Sequence, residues 1–167
     1  SEASLMADSS ILLAQRARML TAEADGYRVL GQVLQHRNQW DSAFVALHKS
    51  EELYLRAHNK SALSTSLIWH AQVLGSQGRY GEMRAVMQRA VAEGEATHNP
   101  AAMADAQRAF GVLAEITGDW PAAAAFLRQS VAISMASGDS SGVRTTQKYL
   151  LGVALQAGDI ATARRIA

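Results

Sequence analysis

The chain has 167 residues, 49% of them hydrophobic, which is enough to bury the core of a domain. It carries 16 basic and 15 acidic residues, so its formal net charge of +1 creates no broad field for nucleic acid or anionic lipid, and we expect no nucleic-acid binding. No apolar run approaches the roughly 18 residues needed to span a bilayer, so we expect no membrane insertion. The absence of cysteine excludes disulfides, thiolate catalysis and thiolate metal sites.

A short sequence pattern recurs every 40 residues and sets the phase of the predicted helices. Its clearest copy begins at Gly111 and continues through a turn at Gly118 to Trp120. The equivalents of Gly111 are Gly31, Ala71 and Leu151. Those of Gly118 are Asn38, Gly78 and Gly158, and those of Trp120 are Trp40, Tyr80 and Ile160. Self-similarity at a fixed period is typical of repeat proteins.

The phase of the pattern predicts a succession of helices joined by short turns. In chain order, we expect helices at residues 2–18, 22–37, 40–57, 60–77, 80–97, 100–117, 120–137 and 140–157, and one more that begins at Asp159. No stretch alternates β-branched and polar residues with a period of two, so we expect no strands.

Residues that begin and end helices recur with the same phase. Asn59, Asn99 and Asp139 stand where the first helix of each pair begins, and their side chains suit the unpaired amides there. The turn glycines after the first helices are Gly78, Gly118 and Gly158. The aspartates that can cap the following second helices are Asp119 and Asp159. Each repeat is therefore predicted to be a pair of antiparallel helices.

Small residues on the first helices predict close packing within each pair. Gly31, Ala71 and Gly111 lie inside the apolar stripe of these helices, and Ala43 and Ala123 face them from the second helices. One pair cannot bury its own apolar face, so pairs stack on their neighbours. We predict an all-α fold, a right-handed superhelical solenoid of antiparallel helix pairs with a concave and a convex side.

These positions resemble the pattern of the tetratricopeptide repeat (TPR). The first copy matches the pattern at Tyr27, Leu30, Gly31, Leu34, Trp40, Ala43 and Leu47. The family usually repeats every ~34 residues, and the longer period here is similar to the variant of polarity adaptors, kinesin light chains and bacterial regulators. HEAT and armadillo arrays share a long period and are the alternative, although they lack the Gly-x-aromatic turn followed by alanine.

The phase also predicts how the chain is divided. We expect a single solenoid domain that contains a second helix of a preceding partial repeat, three repeats and a fourth partial repeat. Their boundaries are residues 1–21, 22–63, 64–103, 104–143 and 144–167. Neither outer segment has the polar cap that terminal repeats of solenoids carry. We therefore expect a fragment of a larger protein, with self-association through the uncapped ends.

The resemblance to the TPR family implies that the first helices line the concave groove and that ligands bind there. At one groove position, three of the four copies carry a cation. The candidate groove residues are Arg28, Gln32, Gln35, Gln72, Arg108 and Lys148. Cations and amides in such a stripe suit an extended peptide with carboxylates or exposed backbone groups. The alternative is a solvated surface whose arginines pair with nearby aspartates and glutamates.

The sequence has no motif that predicts catalysis, a cofactor or a metal ion. It lacks an HExxH motif, a phosphate-binding glycine loop and a Ser-His-Asp arrangement. His58 and His98 are equivalents at helix ends, and His70 is expected to be a packed residue with one hydrogen bond. We predict a non-catalytic, cytoplasmic scaffold that binds a protein or peptide segment. The alternative is a sensor or oligomerisation segment of a larger bacterial-type signalling or transcriptional regulator.

Overall fold

The computed structural model describes residues 2–166, which form helices joined by short turns and no strands. The helices are α1 (Glu2–Arg16), α2 (Leu20–His36), α3 (Trp40–Arg56), α4 (Lys60–Ser76), α5 (Tyr80–Ala96), α6 (Pro100–Ile116), α7 (Trp120–Ala136), α8 (Ser140–Gln156) and α9 (Ile160–Ile166). By its internal contacts the chain divides into two compact units, Ser1–Glu93 (unit 1) and Gly94–Ala167 (unit 2). The predicted all-α architecture of paired helices is confirmed within each unit.

The helices begin at intervals of 20 residues from Leu20 to Ile160, which is half the period that the sequence pattern shows. Each connecting turn holds one residue with positive φ at the same place. These residues are Arg18, Asn38, His58, Gly78, His98, Gly118, Gly138 and Gly158, with φ between 51° and 76°. The left-handed conformation ends each helix and turns the chain back. The glycine turns are therefore confirmed, and His58 and His98 occupy the same turn position after second helices.

Side-chain caps begin most of the helices that follow these turns. The side chains of Asn59 and Asn99 accept hydrogen bonds at 3.1 Å from backbone amides of α4 and α6, and Asp139 accepts one at 2.9 Å in α8. Asp119 and Asp159 cap α7 and α9 in the same way. These predicted caps are confirmed. The helix α2 has no side-chain cap, and it begins at residue 20 rather than the predicted 22.

In unit 1, α2 and α3 approach each other closely at Gly31. A Cβ atom on this glycine would lie 2.6 Å from Cγ of Leu47 and 3.4 Å from the carbonyl oxygen of Ala43. Leu47 and Ala43 also form a core with Val73 of α4, against which Trp40 packs. The prediction that a glycine admits the second helix is confirmed here.

In unit 2, α6 and α7 repeat this contact at Gly111. A Cβ atom there would lie 2.7 Å from Cγ of Leu127 and 3.3 Å from the carbonyl oxygen of Ala123. The helix α8 adds Leu150 and Val153 to the same core. The first helix of a pair therefore packs on both helices of the pair before it.

Within each unit, a buried serine adds a hydrogen bond between two neighbouring helices. Ser64 of α4 donates to the carbonyl oxygen of Ala90 in α5 at 2.9 Å, and Ser130 of α7 donates to that of Ala104 in α6 at 2.7 Å. Both serines are fully buried. Because the carbonyl oxygens belong to helical backbone, these bonds fix the rotation of one helix against the next.

Candidate functional site

The predicted groove residues lie on the first helices of the pairs, in two separate units. Helix α2 carries Arg28, Gln32 and Gln35, and α4 carries Gln72, all within unit 1. Helices α6 and α8 carry Arg108 and Lys148 in unit 2. Each unit therefore carries its own set of candidate residues.

In unit 1, five side chains from α2, α3 and α4 form a hydrogen-bonded chain, which we call the polar cluster: Asp25, Arg28, Gln32, Tyr54 and Trp69. The hydroxyl of Tyr54 donates to Oδ1 of Asp25 at 2.6 Å and accepts from Nε of Arg28 at 3.3 Å. Nη2 of Arg28 also pairs with Oδ1 of Asp25 at 3.4 Å.

Gln32 extends the polar cluster from α2 to α4. Two donors face one end of the Gln32 amide, Nε1 of the Trp69 indole at 2.8 Å and Nη1 of Arg28 at 3.1 Å. An oxygen in this place satisfies both donors, whereas an NH₂ group would satisfy neither. The orientation of Gln32 is therefore set by its neighbours, and the two first helices are joined through polar side chains.

The polar cluster shifts the pKa of two of its members. Burial, followed by the hydrogen bond to Asp25, raises the pKa of Tyr54 to about 12. For Arg28, burial alone would lower the pKa, but the hydrogen bonds and charges of Tyr54 and Asp25 outweigh burial and raise it. Both groups therefore stay protonated at neutral pH, and Tyr54 remains a hydrogen-bond donor to the carboxylate.

Two further predicted residues each lie three positions after a member of the polar cluster, Gln35 after Gln32 on α2 and Gln72 after Trp69 on α4, and so share a helix face with it. Gln35 and Gln72 are half-buried. Oε1 of Gln35 is buried and has no hydrogen-bond partner among residues 2–166. A buried amide oxygen without a partner is costly, and a bound donor would relieve that cost.

In unit 2, the ion pair recurs but the rest of the polar cluster does not. Nη2 of Arg108 lies 2.6 Å from Oδ1 of Asp105, at the same sequence spacing as Arg28 and Asp25. Burial raises the pKa of Asp105, and the charge of Arg108 offsets this only in part. Ser134 stands where unit 1 has Tyr54, and its buried hydroxyl has no partner among the described residues.

The alternative interpretation of the cationic stripe predicted arginines paired with acidic residues, and both arginines form such ion pairs. Lys148 is exposed on α8. The binding of a ligand by the six candidate groove residues stays a prediction.

The histidines fit structural roles. Nδ1 of His70 lies 2.7 Å from Oε1 of Glu51, and both side chains are buried, so the expected single hydrogen bond is present. Within residues 2–166, no three histidine, aspartate or glutamate side chains lie close enough together to hold a metal ion. No helix in the described part of the chain is long and apolar enough to cross a membrane.

Tyr54 and Trp69 are the members of the polar cluster that the sequence did not reveal. Tyr54 contacts α2 residues that lie 26 and 29 positions earlier, and its equivalent in unit 2 is a serine. A side chain that does not recur leaves no periodic signal. The remaining signal is local, because buried tyrosines and tryptophans need a partner for their polar atom.

Comparison with known proteins identifies the fold. No family model matches the sequence, and no curated protein matches it. BtubC from P. vanneervenii has a TM-score of 0.80 at 16% identity, over 99% of this chain and 69% of that one. The TPR-like repeats of a kinesin light chain protein from Podosopora anserina have a TM-score of 0.67 at 16% identity, over 99% and 82%.

A third similar structure is a Rap protein complexed with Competence and Sporulation Factor. Its TM-score is 0.77 at 11% identity, over 93% of this chain and 49% of that one. This chain therefore spans about half of that protein. Identities at this level show the fold alone, and the similar structures favour TPR-like repeats over the HEAT and armadillo alternative. The chain has the tetratricopeptide-like fold, an all-α array of repeated helix pairs.

Proposed function

We propose that this chain is a non-catalytic scaffold that binds a protein or peptide segment on the face formed by its first helices. In unit 1 this face comprises Asp25, Arg28, Gln32 and Trp69 of the polar cluster with Gln35 and Gln72, and the buried Tyr54 of α3 holds Asp25 and Arg28 in place. The observation that carries the proposal is the unpartnered, buried amide oxygen of Gln35 beside a row of fixed polar side chains. Such a row offers donors and acceptors in set positions without any need to order them on binding.

The chemistry of this face suits an extended polypeptide. Amide side chains both donate and accept, so Gln35 and Gln72 match the alternating N–H and C=O groups of a peptide backbone. Arg28 carries five N–H donors, and three of its nitrogen atoms already hold Tyr54, Asp25 and Gln32. Arg28 therefore serves mainly to fix the surface, whereas the exposed Lys148 of unit 2 remains available for a carboxylate.

Selection from a library of random peptides displayed on phage tests this function. We expect peptides whose affinity falls by about tenfold or more when Gln35 and Gln72 are both changed to Ala, since two amide hydrogen bonds are lost. The matched control changes Gln88 and Gln129, which are exposed on the second helices α5 and α7, and leaves affinity unchanged. Equal losses in both variants, or a selection without binders, would refute the proposal.

The second candidate is a sensor or oligomerisation segment of a larger bacterial-type signalling or transcriptional regulator. The similarity to a Rap protein that was solved with a bound factor, and of which this chain spans 49%, favours it. Sedimentation velocity over a range of concentrations tests the oligomerisation part, because self-association through the ends predicts a rising mean mass. A constant monomer mass would count against it. The cytoplasmic location stays a prediction.

A further inference from the structure

The two units contain equivalent cores, offset by 80 residues in sequence. In unit 1, Ala43, Leu47 and Val73 form a core against which Trp40 and Phe44 pack. In unit 2 the core contains the equivalents Ala123, Leu127 and Val153, with Trp120 and Ala124 packed against it. Four of these five positions carry the same residue in both units, and the fifth changes from a large aromatic side chain to a methyl group.

In unit 1, the ring of Phe44 lies among three other side chains. Its centroid is 4.7 Å from that of His70 in an edge-to-face contact and 6.3 Å from that of the stacked His48. The guanidinium carbon of Arg79 lies 5.1 Å from the same centroid. Aromatic and cation–π contacts of this kind hold the ring between α3, α4 and the turn that follows α4.

In unit 2, the equivalent place is a cavity of about 250 Å³. Ala124 lines it in place of Phe44, Leu150 in place of His70, and Arg128 in place of His48. The other lining residues are Trp120, Pro121, Val153, Ala154, Ala157, Asp159 and Thr162. The exposed residues among them place the mouth of the cavity at the surface. A dry apolar cavity of about 150 Å³ already accepts benzene, so this one has room for a phenyl ring.

We propose that this cavity binds a phenylalanine-type side chain presented by a partner polypeptide. Phe44 shows which occupant the same framework accepts, namely an aromatic ring carried on a peptide backbone. The walls from Trp120, Leu150 and Val153 offer apolar contact, and Arg128, an exposed lining residue, supplies a guanidinium for a cation–π contact with the ring. The cavity shares no residue with the polar cluster, so this binding site goes beyond the proposed function and does not depend on it.

The first test titrates N-acetyl-L-phenylalaninamide into the protein and follows the tryptophan indole N–H signals by two-dimensional NMR. We expect the signal of Trp120 to move and saturate, while that of Trp69 stays in place, because Trp69 lies in the polar cluster. N-acetyl-L-alaninamide is the matched probe without a ring and should produce no saturable shift. An unmoved Trp120 signal, or equal shifts with both probes, would overturn the proposal.

Two reciprocal substitutions sharpen the test. Ala124→Phe supplies the ring that unit 1 carries, so it should fold, fill the cavity and weaken binding of the phenylalanine probe by about tenfold or more. Phe44→Ala should open an equivalent cavity in unit 1 and make the Trp40 signal respond to the same probe. Unchanged binding by Ala124→Phe contradicts the proposal, and so does failure of that variant to fold, because the ring would then not fit. If Phe44→Ala does not fold, the Ala124→Phe result decides alone.

Discussion

Replacement of Gly111 by Ala measures how tightly the helices of a pair pack. A Cβ atom at this position would lie 2.7 Å from Cγ and 2.8 Å from Cδ2 of Leu127, and 3.3 Å from the carbonyl oxygen of Ala123. The Cγ atom of leucine is a branch point near the backbone, so it cannot simply swing aside. Overpacking a core costs about 1–3 kcal/mol.

The same change also brings a gain. Alanine in place of glycine in a helix interior stabilises the folded state by about 0.5–1 kcal/mol, because the unfolded chain loses freedom. The two terms together predict a net loss of about 1 kcal/mol of unfolding free energy for Gly111→Ala. A Cβ atom at Gly152, within α8 of the same unit, meets no atom within 4 Å, so Gly152→Ala should show the gain alone.

Urea unfolding followed by circular dichroism at the helix band compares the two variants with the parent chain. We expect the midpoint to fall for Gly111→Ala and to rise for Gly152→Ala, with a difference of about 2 kcal/mol between them. Equal stabilisation by both substitutions would refute the close contact of α6 and α7, since it would show that a methyl group fits at Gly111.

Other predictions follow from single side chains. His58 has a φ of 54°, so His58→Gly should stabilise the chain by about 1 kcal/mol in urea unfolding. Gly138→Ala at the equivalent turn should destabilise the chain. The opposite signs would contradict the turn geometry. Ser130→Ala should cost about 0.5–1.5 kcal/mol because it removes the hydroxyl that donates to the carbonyl oxygen of Ala104 in addition to the helical bond of that oxygen, and no loss of stability would contradict that bond. The pKa of Tyr54 is raised to about 12, so its protonated hydroxyl stabilises the folded state. This contribution to stability is fully present below the ordinary tyrosine pKa of ~10, and it is lost as the pH rises from there through 12. Ultraviolet titration should show one late tyrosine that Tyr54→Phe removes; a titration unchanged by that substitution would contradict the assignment.

The sequence predicted the helices well because their ends are decided locally. Asn59 and Asn99 accept hydrogen bonds from amides three residues ahead, and Gly118 ends a helix by its own backbone conformation. The turns after second helices were less evident in the sequence because they do not share a residue type. Arg18, His58 and His98 adopt the same left-handed conformation there as Gly138, and only the backbone shows it.

The candidate site was predicted less completely than the fold. The sequence located Arg28 and Gln32 on one face of a first helix, since a helical face depends only on spacing. It did not reveal that Tyr54 and Trp69 hold these residues, because contacts between helices depend on how each helix is rotated. The cavity at Ala124 was equally hidden, since an alanine at a repeat position is ordinary until the equivalent Phe44 is seen in place.

The most direct test of the proposed function maps a selected peptide onto the protein by NMR chemical-shift changes. We expect the largest changes on α2 and α4, at the side-chain amides of Gln35 and Gln72 and the indole N–H of Trp69. Changes confined to the second helices, with the signals of Gln35, Gln72 and Trp69 unmoved, would contradict the claim that the first-helix face binds the ligand.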